Sequence, residues 1–410
     1  MNTQVKLGDL RQLVDGDAVA IRGRATLEPA GGSSDKIFPP SHSIEKNEKR
    51  PGAKYAFETR RRDGRDVACV LLDSVQSQAN RMEDALQALW EEKRIALPVI
   101  EVDLSDTAPE VGRLTSLTAP HRVADALLRD SLLNGTLFRH SDIGRSFTDA
   151  TPRNAGPLFT VCPTGLVFGI WDSTGPKGGL GAKFARVLTS EIVGIGASAG
   201  VKTSSRIDPT GIVTKAAVIF EARDRNERWT HDEKLAVEGK GGGPATLGDG
   251  RVSEVNHSNI PPSIESLAGG VTIDFAEHTV VLSLAGLRRI GFSEGAAEAR
   301  TVLAALALVS LLANEARGHD LRSRCLLVPR PGHALSLEIV ARDGTATALT
   351  LDLHGAISLY QAAVNALPAS LAFGTPAGEP LATLTPSPKL AYLIVESRKL
   401  STRATDNESD

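Results

Sequence analysis

Residues 67–89 read VACVLLDSVQSQANRMEDALQAL, and the way this stretch divides decides the fold. Val67 to Leu72 is an apolar run of the length of a buried strand. Val75, Ala79, Met82, Leu86 and Leu89 then recur at steps of three and four, the spacing of a single core-facing stripe on a helix. Between strand and stripe the polarity changes. Ser74, Gln76, Ser77, Asn80 and Arg81 set hydroxyl, amide and guanidinium donors beside the unpaired N–H groups of a helix start, where the macrodipole also favours an anion. Two readings follow, a phosphate-holding helix start and a capped, solvated helix end. These residues alone leave both open.

Working outward, AVAIRGRAT at 18–26 alternates as a strand does, and a Gly/Pro/charge-rich connection too long for an ordinary loop separates it from the second strand. Leu97 to Leu104 predicts a further strand. The stretch 120–135, with Pro120 near its start and Gly135 at its stop, predicts a helix. From 139 to 215 the chain reads as strand and loop, with LFTVCPTGLVFGIW and RVLTSEIVGIGA as β-branched runs around a glycine- and lysine-rich link. Residues 222–270 lose apolar periodicity. GVTIDFAEHTVVLSL resumes as strand, and residues 293–318 form a helix with Ser293 as N-cap and Gly318 just past its end. SRCLLV, two alternating segments, a short helix at 356–366 and a strand near AYLIVE complete the series, followed by a polar tail expected to be disordered at 401–410.

The recurrent strand–helix–strand unit predicts the α+β class: a ferredoxin-like, RNA-recognition-type palm (βαββαβ) with long inserted segments, a doubly wound α/β fold being the alternative. The expected layout is a single elaborated domain over 1–400. Its palm lies roughly at 16–27, 66–104, 185–220 and 271–330, with insertions at 28–62, 105–180 and 222–270.

At 410 residues and 41% hydrophobic the chain buries a large core. The polar opening MNTQVKLGDLRQLVDG is unlike a secretory leader, and the apolar run Val302 to Ala313 is too short to span a bilayer, so a buried helix and no membrane role are expected. Cys69, Cys162 and Cys325 offer no CxxC pair, which fits a reducing cytoplasm. The net charge of −3 hides an uneven distribution. Residues 22–62 hold ten Lys/Arg against five acids, and residues 175–206 hold five against Glu191 alone. Two basic segments on an acidic body suit a local anion track.

Catalytic constellations are missing from the sequence. GPKGGLGAKFA fails the phosphate-loop register, since Phe184 follows Lys183, and it contains no Gly-x-Gly-x-x-Gly. The nine histidines form no HxxxH or HExxH, and no Cys/His cluster has metal spacing, so neither metal nor cofactor is expected. His42 and His257 are isolated loop histidines that would serve only as a lone general base.

LLDSVQSQANRMEDAL, KIFPPSH, KFARVLTSEIVGIGA, SRIDPTGI and SEVNHSNIPPS together resemble the Cas-seven-type backbone subunit of the type I-G (formerly I-U) CRISPR effector complex, Cascade, within the RAMP superfamily, from about residue 15 to 330. The resemblance implies a non-catalytic protein with palm, fingers and thumb. Several copies of it coat one guide RNA beside other Cascade subunits, and the guide presents its bases to target DNA. It would place RNA-backbone contacts at Ser74, Gln76, Ser77, Asn80 and Arg81, with charge from Lys183, Arg186 and Arg206. The connection at 28–62 becomes a finger whose Lys36, Phe38 and His42 meet RNA or a neighbour, and 222–270 becomes a thumb carrying His257 and Asn259. A RAMP endoribonuclease that processes repeat RNA is the alternative within the family, and a small-molecule α/β enzyme the alternative outside it. Aromatics make up only 4% of residues, so base stacking cannot be the general means of holding RNA.

Overall fold

A computed structural model describes residues 5–43, 54–173, 182–224, 226–239 and 241–408. The fold is mixed α+β, and the described chain falls into two compact units, one of residues up to 43, 54–198 and 271–391, the other of 199–270 and 392–408.

The first unit is organised by a nine-stranded sheet. Its strands are β1 (Ala20–Pro29), β2 (Phe57–Arg62), β3 (Arg65–Asp73), β4 (Leu188–Ile195), β5 (Phe275–Ser283), β6 (His319–Arg322), β7 (Cys325–Pro329), β8 (Ser336–Val340) and β9 (Ala346–Leu349). Their order is β6-β7-β1-β5-β4-β3-β2, with β8 sharing the edge of β1 and carrying β9, and every pairing is antiparallel. The register of β1 on β5 runs from Ala20 opposite Ser283 to Leu27 opposite Ala276. Both strands alternate buried and partly exposed residues, as a sheet with one core face requires.

The helices are α1 (Leu7–Asp15), α2 (Val75–Glu91), α3 (Ala296–Ala316) and α4 (Leu353–Asn365), with shorter ones between. The stripe foreseen on α2 holds from its second member on: Ala79, Met82, Leu86 and Leu89 are buried, Val75 at the first helical position is only half-buried, and α2 packs on α3 and β4. Ser310 of α3 reaches the Met82 sulfur at 3.7 Å. α3 is apolar nearly all round because α1, α2 and α4 all pack against it. By length and composition its 21 residues would cross a membrane, but 72% of the apolar window is buried inside the protein. The expected buried helix is therefore present, and longer than the run that announced it.

Four local expectations change. The stretch 120–135 is not one helix: a 3₁₀ turn (Arg122–Ala124) and a single α-turn (Ala126–Arg129), started by Asp125 accepting from the Leu127 N–H at 2.9 Å, give way to a hairpin. Asn134 and Gly135 take φ of 50° and 81°, the two left-handed positions of a two-residue hairpin turn, which joins Ser131–Leu133 to Thr136–Leu137. Residues 158–171 are largely helical, because Pro163 opens a helix over Pro163–Phe168 and only Ile170–Trp171 is strand. AYLIVE lies in a helix, Pro388–Glu408, which also takes in most of the tail expected to be disordered. Pro388 stands at its first position and the Ser387 hydroxyl accepts from the Leu390 N–H at 3.3 Å. The strand lies just before it, at Ala382–Pro386, paired in parallel with Ile100–Asp103. Finally, α3 is capped by Gly295 at φ 61°, not by Ser293.

The second unit has a ribbon of Lys202–Arg206 against Ile260–Glu265 and a small apolar cluster of Ile219, Leu247 and Val252. The 222–270 excursion thus contributes to a modest core of its own.

Candidate nucleic-acid interface

The start of α2 sorts its polar residues by face. Ser74 is the N-cap, its hydroxyl accepting from the Ser77 N–H at 3.2 Å. Ser77 in turn donates to Asp73 at 2.8 Å. Arg81 donates to Asp73 at 3.0 Å and to the carbonyls of Asp320 and Leu321. These three are engaged with the protein itself. Gln76 and Asn80, four residues apart on one face, are exposed.

Gln76 and Asn80 line a cleft of about 900 Å³. Phe168–Ser173 and Lys183–Arg186 also line it, and there strand Ile170–Trp171 pairs with strand Lys183–Phe184. Pro120, His121 and Arg122 complete this part of the lining. Four residues that the sequence marked in two distant segments, Gln76, Asn80, Lys183 and Arg186, therefore share one concavity. The basic, glycine-rich residues 174–181 between the paired strands lie outside the described residues.

The cleft's charge is set by which cations are already neutralised. Arg122 is 9% exposed and makes a bidentate pair with Glu83, both bonds 2.6 Å, and donates to the Gly169 carbonyl at 3.0 Å. Its φ of 54° is strained for a long side chain, and the two-sided grip holds it there. Burial pushes the Glu83 carboxyl up to about 7, against the pull of Arg122. Arg129 is paired with Asp130 at 2.6 Å. Asp172, the acid among the described lining residues, is buried and paired with Arg139. Arg186 differs. It is half-buried, burial and the neighbouring Arg122 lower its pKa against a smaller opposing pull from Glu83, and among the described residues no hydrogen bond or ion pair satisfies it. A guanidinium partly stripped of water, whose nearest acid Glu83 is already bonded to Arg122, attracts an anion more strongly than a solvated one.

Lys183 is exposed and lies over the Trp171 ring at 5.0 Å. Trp171 is 56% exposed at the cleft wall. Sequence reading missed Trp171, Arg122 and Arg129. Their signal was slight, since a lone Trp after a strand and two Arg in a supposed helix look like any surface.

The other marked residues do not line this cleft. Lys36 and Phe38 lie in the segment that bridges Ile37 to Val271, where Arg324 stacks over the Phe38 ring at 4.2 Å. His42 is exposed, its N–H bonded to the Lys54 carbonyl at 2.7 Å. Arg206, His257 and Asn259 meet in the second unit. Arg206 donates to the carbonyls of His257 and Ser258 at 2.8 and 3.0 Å. The Asn259 side chain accepts from the Asp208 N–H at 2.7 Å, and His257 stands 3.8 Å from the Asp208 carboxylate. Arg206 and Asn259 thus close a turn.

Residues 21–199 match the family model described as CRISPR-associated protein GSU0053. The match supports a CRISPR-associated protein. The matched stretch contains every residue named above in the cleft, from Gln76 to Arg186, whereas β5, α3 and all of the second unit but its first residue fall beyond it. No curated protein matches the chain.

Proposed function

We propose that the protein is a non-catalytic guide-RNA-binding backbone subunit of the Cas-seven type that polymerises along the spacer in a type I-G CRISPR surveillance complex. The observation that carries this reading is the convergence of Gln76, Asn80, Lys183 and Arg186 on one cleft. Amides and cations with one stacking surface suit a ribose-phosphate chain whose base edges must stay free for pairing with target DNA. The strand order supports an RNA-recognition-type palm: β7-β1-β5-β4, all antiparallel, with α2 between β1 and β4 and α3 between β5 and β7, is the order of a split βαβ plan. On this reading residues 222–270 are the thumb and 28–62 the finger of a RAMP-superfamily subunit. Its partners are guide RNA, further copies of the chain and the remaining Cascade subunits, in the cytoplasm.

The test is co-expression of the chain with a repeat-spacer transcript and its partner subunits. Retention of RNA of discrete length through purification supports the proposal, and RNA-free monomer at moderate salt overturns it. So does site-specific cleavage of repeat RNA that is lost on His121→Ala, since His121 is the histidine among the described lining residues.

A further inference from the structure

His278 belongs to the inward series Ala276, His278, Val280 and Leu282 of β5, and it is fully buried. Facing it are Glu315, in the last turn of α3, and His319, the first residue of β6, joined through Gly318 at φ 75°. Glu315 Oε1 lies 3.4 Å from His278 Nδ1, and Glu315 Oε2 lies 3.5 Å from His319 Nε2. The donor atoms of the three residues all fall within 4.8 Å of one another.

A chain of hydrogen bonds dictates which nitrogen of His278 carries its proton. Gln78 donates its amide to Asp73 at 2.6 Å, so its carbonyl oxygen is the atom that accepts from Ser190 Oγ at 2.8 Å. Ser190 has one proton and gives it there. Its oxygen must therefore accept from His278 Nε2, at 2.7 Å. In the neutral ring Nδ1 is then a bare lone pair, aimed at a carboxylate oxygen that is also an acceptor. Neither atom has a hydrogen-bond partner among the described residues, and both are buried. Two facing acceptors without a donor are costly unless something positive lies between them.

We propose that His278 Nδ1, Glu315 and His319 Nε2 form a buried structural site for a divalent transition cation of the zinc class. Two imidazoles and one carboxylate are a zinc-class donor set, with a fourth position for water. The separations of 3.4 and 3.5 Å are close to the edge of a tetrahedron with bonds of about 2.0–2.1 Å, which is about 3.4 Å. The Nε2–H bond to Ser190 is the outer support that a metal-bound histidine normally has. Carbonyls at the end of α3 add negative potential. Sequence spacing concealed the group, because the residues come from a strand, a helix end and the next strand. The bound cation ties β5 to the exit of α3 and to β6, and through Ser190, Gln78 and Asp73 it steadies the start of α2. The site does not depend on what the cleft binds.

The experiment uses the full chain, stripped with a chelator and titrated with Zn²⁺ or Co²⁺ alone. One equivalent is taken up tightly, Co²⁺ develops the visible absorption of a tetrahedral N/O site, and Zn²⁺ raises the melting temperature. Glu315→Gln and His319→Ala bind at least tenfold more weakly and lose the thermal shift, while Ser190→Ala weakens binding by about 10–100-fold. A stripped protein with native circular dichroism that takes up no stoichiometric metal overturns the proposal, leaving a water or a proton between the two acceptors. Should the histidine variant fail to fold, Glu315→Gln, which keeps shape and volume, decides: undiminished binding overturns the site.

Discussion

Gln78 donates its side-chain amide to the Asp73 carboxylate across 2.6 Å, with both residues fully buried, while Gln76, two positions away on the same helix, stands exposed in the cleft. The same side chain therefore has opposite roles on the two faces of α2. Gln78→Ala removes a hydrogen bond to a charged group and leaves Ser190 without its acceptor, an expected loss of about 1.5–3 kcal/mol. Gln76→Ala is expected within about 0.5 kcal/mol of the parent. Denaturant unfolding of the two variants checks this, and equal destabilisation would contradict the division of faces.

The cleft predicts a graded loss of RNA retention. Arg186→Ala removes a guanidinium that has no hydrogen-bond or ion-pair partner among the described residues, and it lowers the magnitude of the salt slope by about 0.7, the value for one phosphate contact on a single strand. On the proposed function, a lone subunit neutralising roughly four phosphates falls about fifty-fold in affinity between about 50 and 200 mM salt, whereas copies assembled along one RNA, each adding contacts to the next, are expected to resist that range better. Gln76→Ala with Asn80→Ala weakens binding without changing the slope, since amides carry no charge. Filter binding across a salt series separates the two effects. An unchanged slope for Arg186→Ala would place the phosphate track elsewhere.

These variants also show what was legible in the sequence. Apolar spacing on α2 fixed which side of the helix is buried, so Gln76 and Asn80 could be placed outward and the structure leaves them there. Arg81 could not be placed in the same way. Its fate depends on Asp73 and on the carbonyls of Asp320 and Leu321, which are remote in sequence and supplied only by the fold. Arg206 is the same case, absorbed by the carbonyls of His257 and Ser258. A cation's availability depends on its partners, and these are tertiary. Asn134-Gly135 is a pair that two-residue hairpin turns favour, but the sequence reading took Gly135 as a helix stop because of the apolar run before it. The cluster of His278, Glu315 and His319 had no signature that spacing could detect.

Trp171 gives a further expectation. With 56% of its surface exposed and Lys183 over the ring, it is the residue the proposed function would use for stacking in a chain otherwise poor in aromatics. Trp171→Ala is expected to cost about 1–3 kcal/mol of RNA affinity, roughly 5- to 150-fold, with little change in salt slope. Trp171→Phe should recover part of it. If both bind like the parent, no base stacks there.

In the second unit, Asp208 accepts from the Thr210 hydroxyl and N–H and from the Ser258 N–H at 2.8 Å, and these bonds lower its carboxyl to about 2. A carboxyl with a depressed folded pKa stabilises the fold above its unfolded pKa, near 4. That stabilisation is lost as pH falls from about 4 toward 2. Asp208→Asn should therefore open the 206–210 and 256–259 turns at neutral pH, and the difference from the parent should vanish in acid. Amide hydrogen exchange in these turns, measured at several pH values, reads it directly. A difference that persists at pH 2 would assign the effect to shape and not to charge.

The pair of Arg122 and Glu83 separates stability from cleft shape. Both groups are buried, so removing one leaves the other without compensation: Arg122→Ala is expected to cost about 3–5 kcal/mol. Replacing both together, Arg122→Met with Glu83→Leu, removes the charges in step and should recover most of that loss. Arg122 also holds the Gly169 carbonyl at 3.0 Å and adopts a strained φ of 54°, so the double variant relaxes the cleft lining at Arg122 and Gly169 even where stability returns. Thermal melts should then rank the double variant near the parent and well above Arg122→Ala, while RNA retention by the double variant stays reduced. Recovery of RNA retention along with stability would show that the geometry around Arg122 and Gly169 has no part in binding.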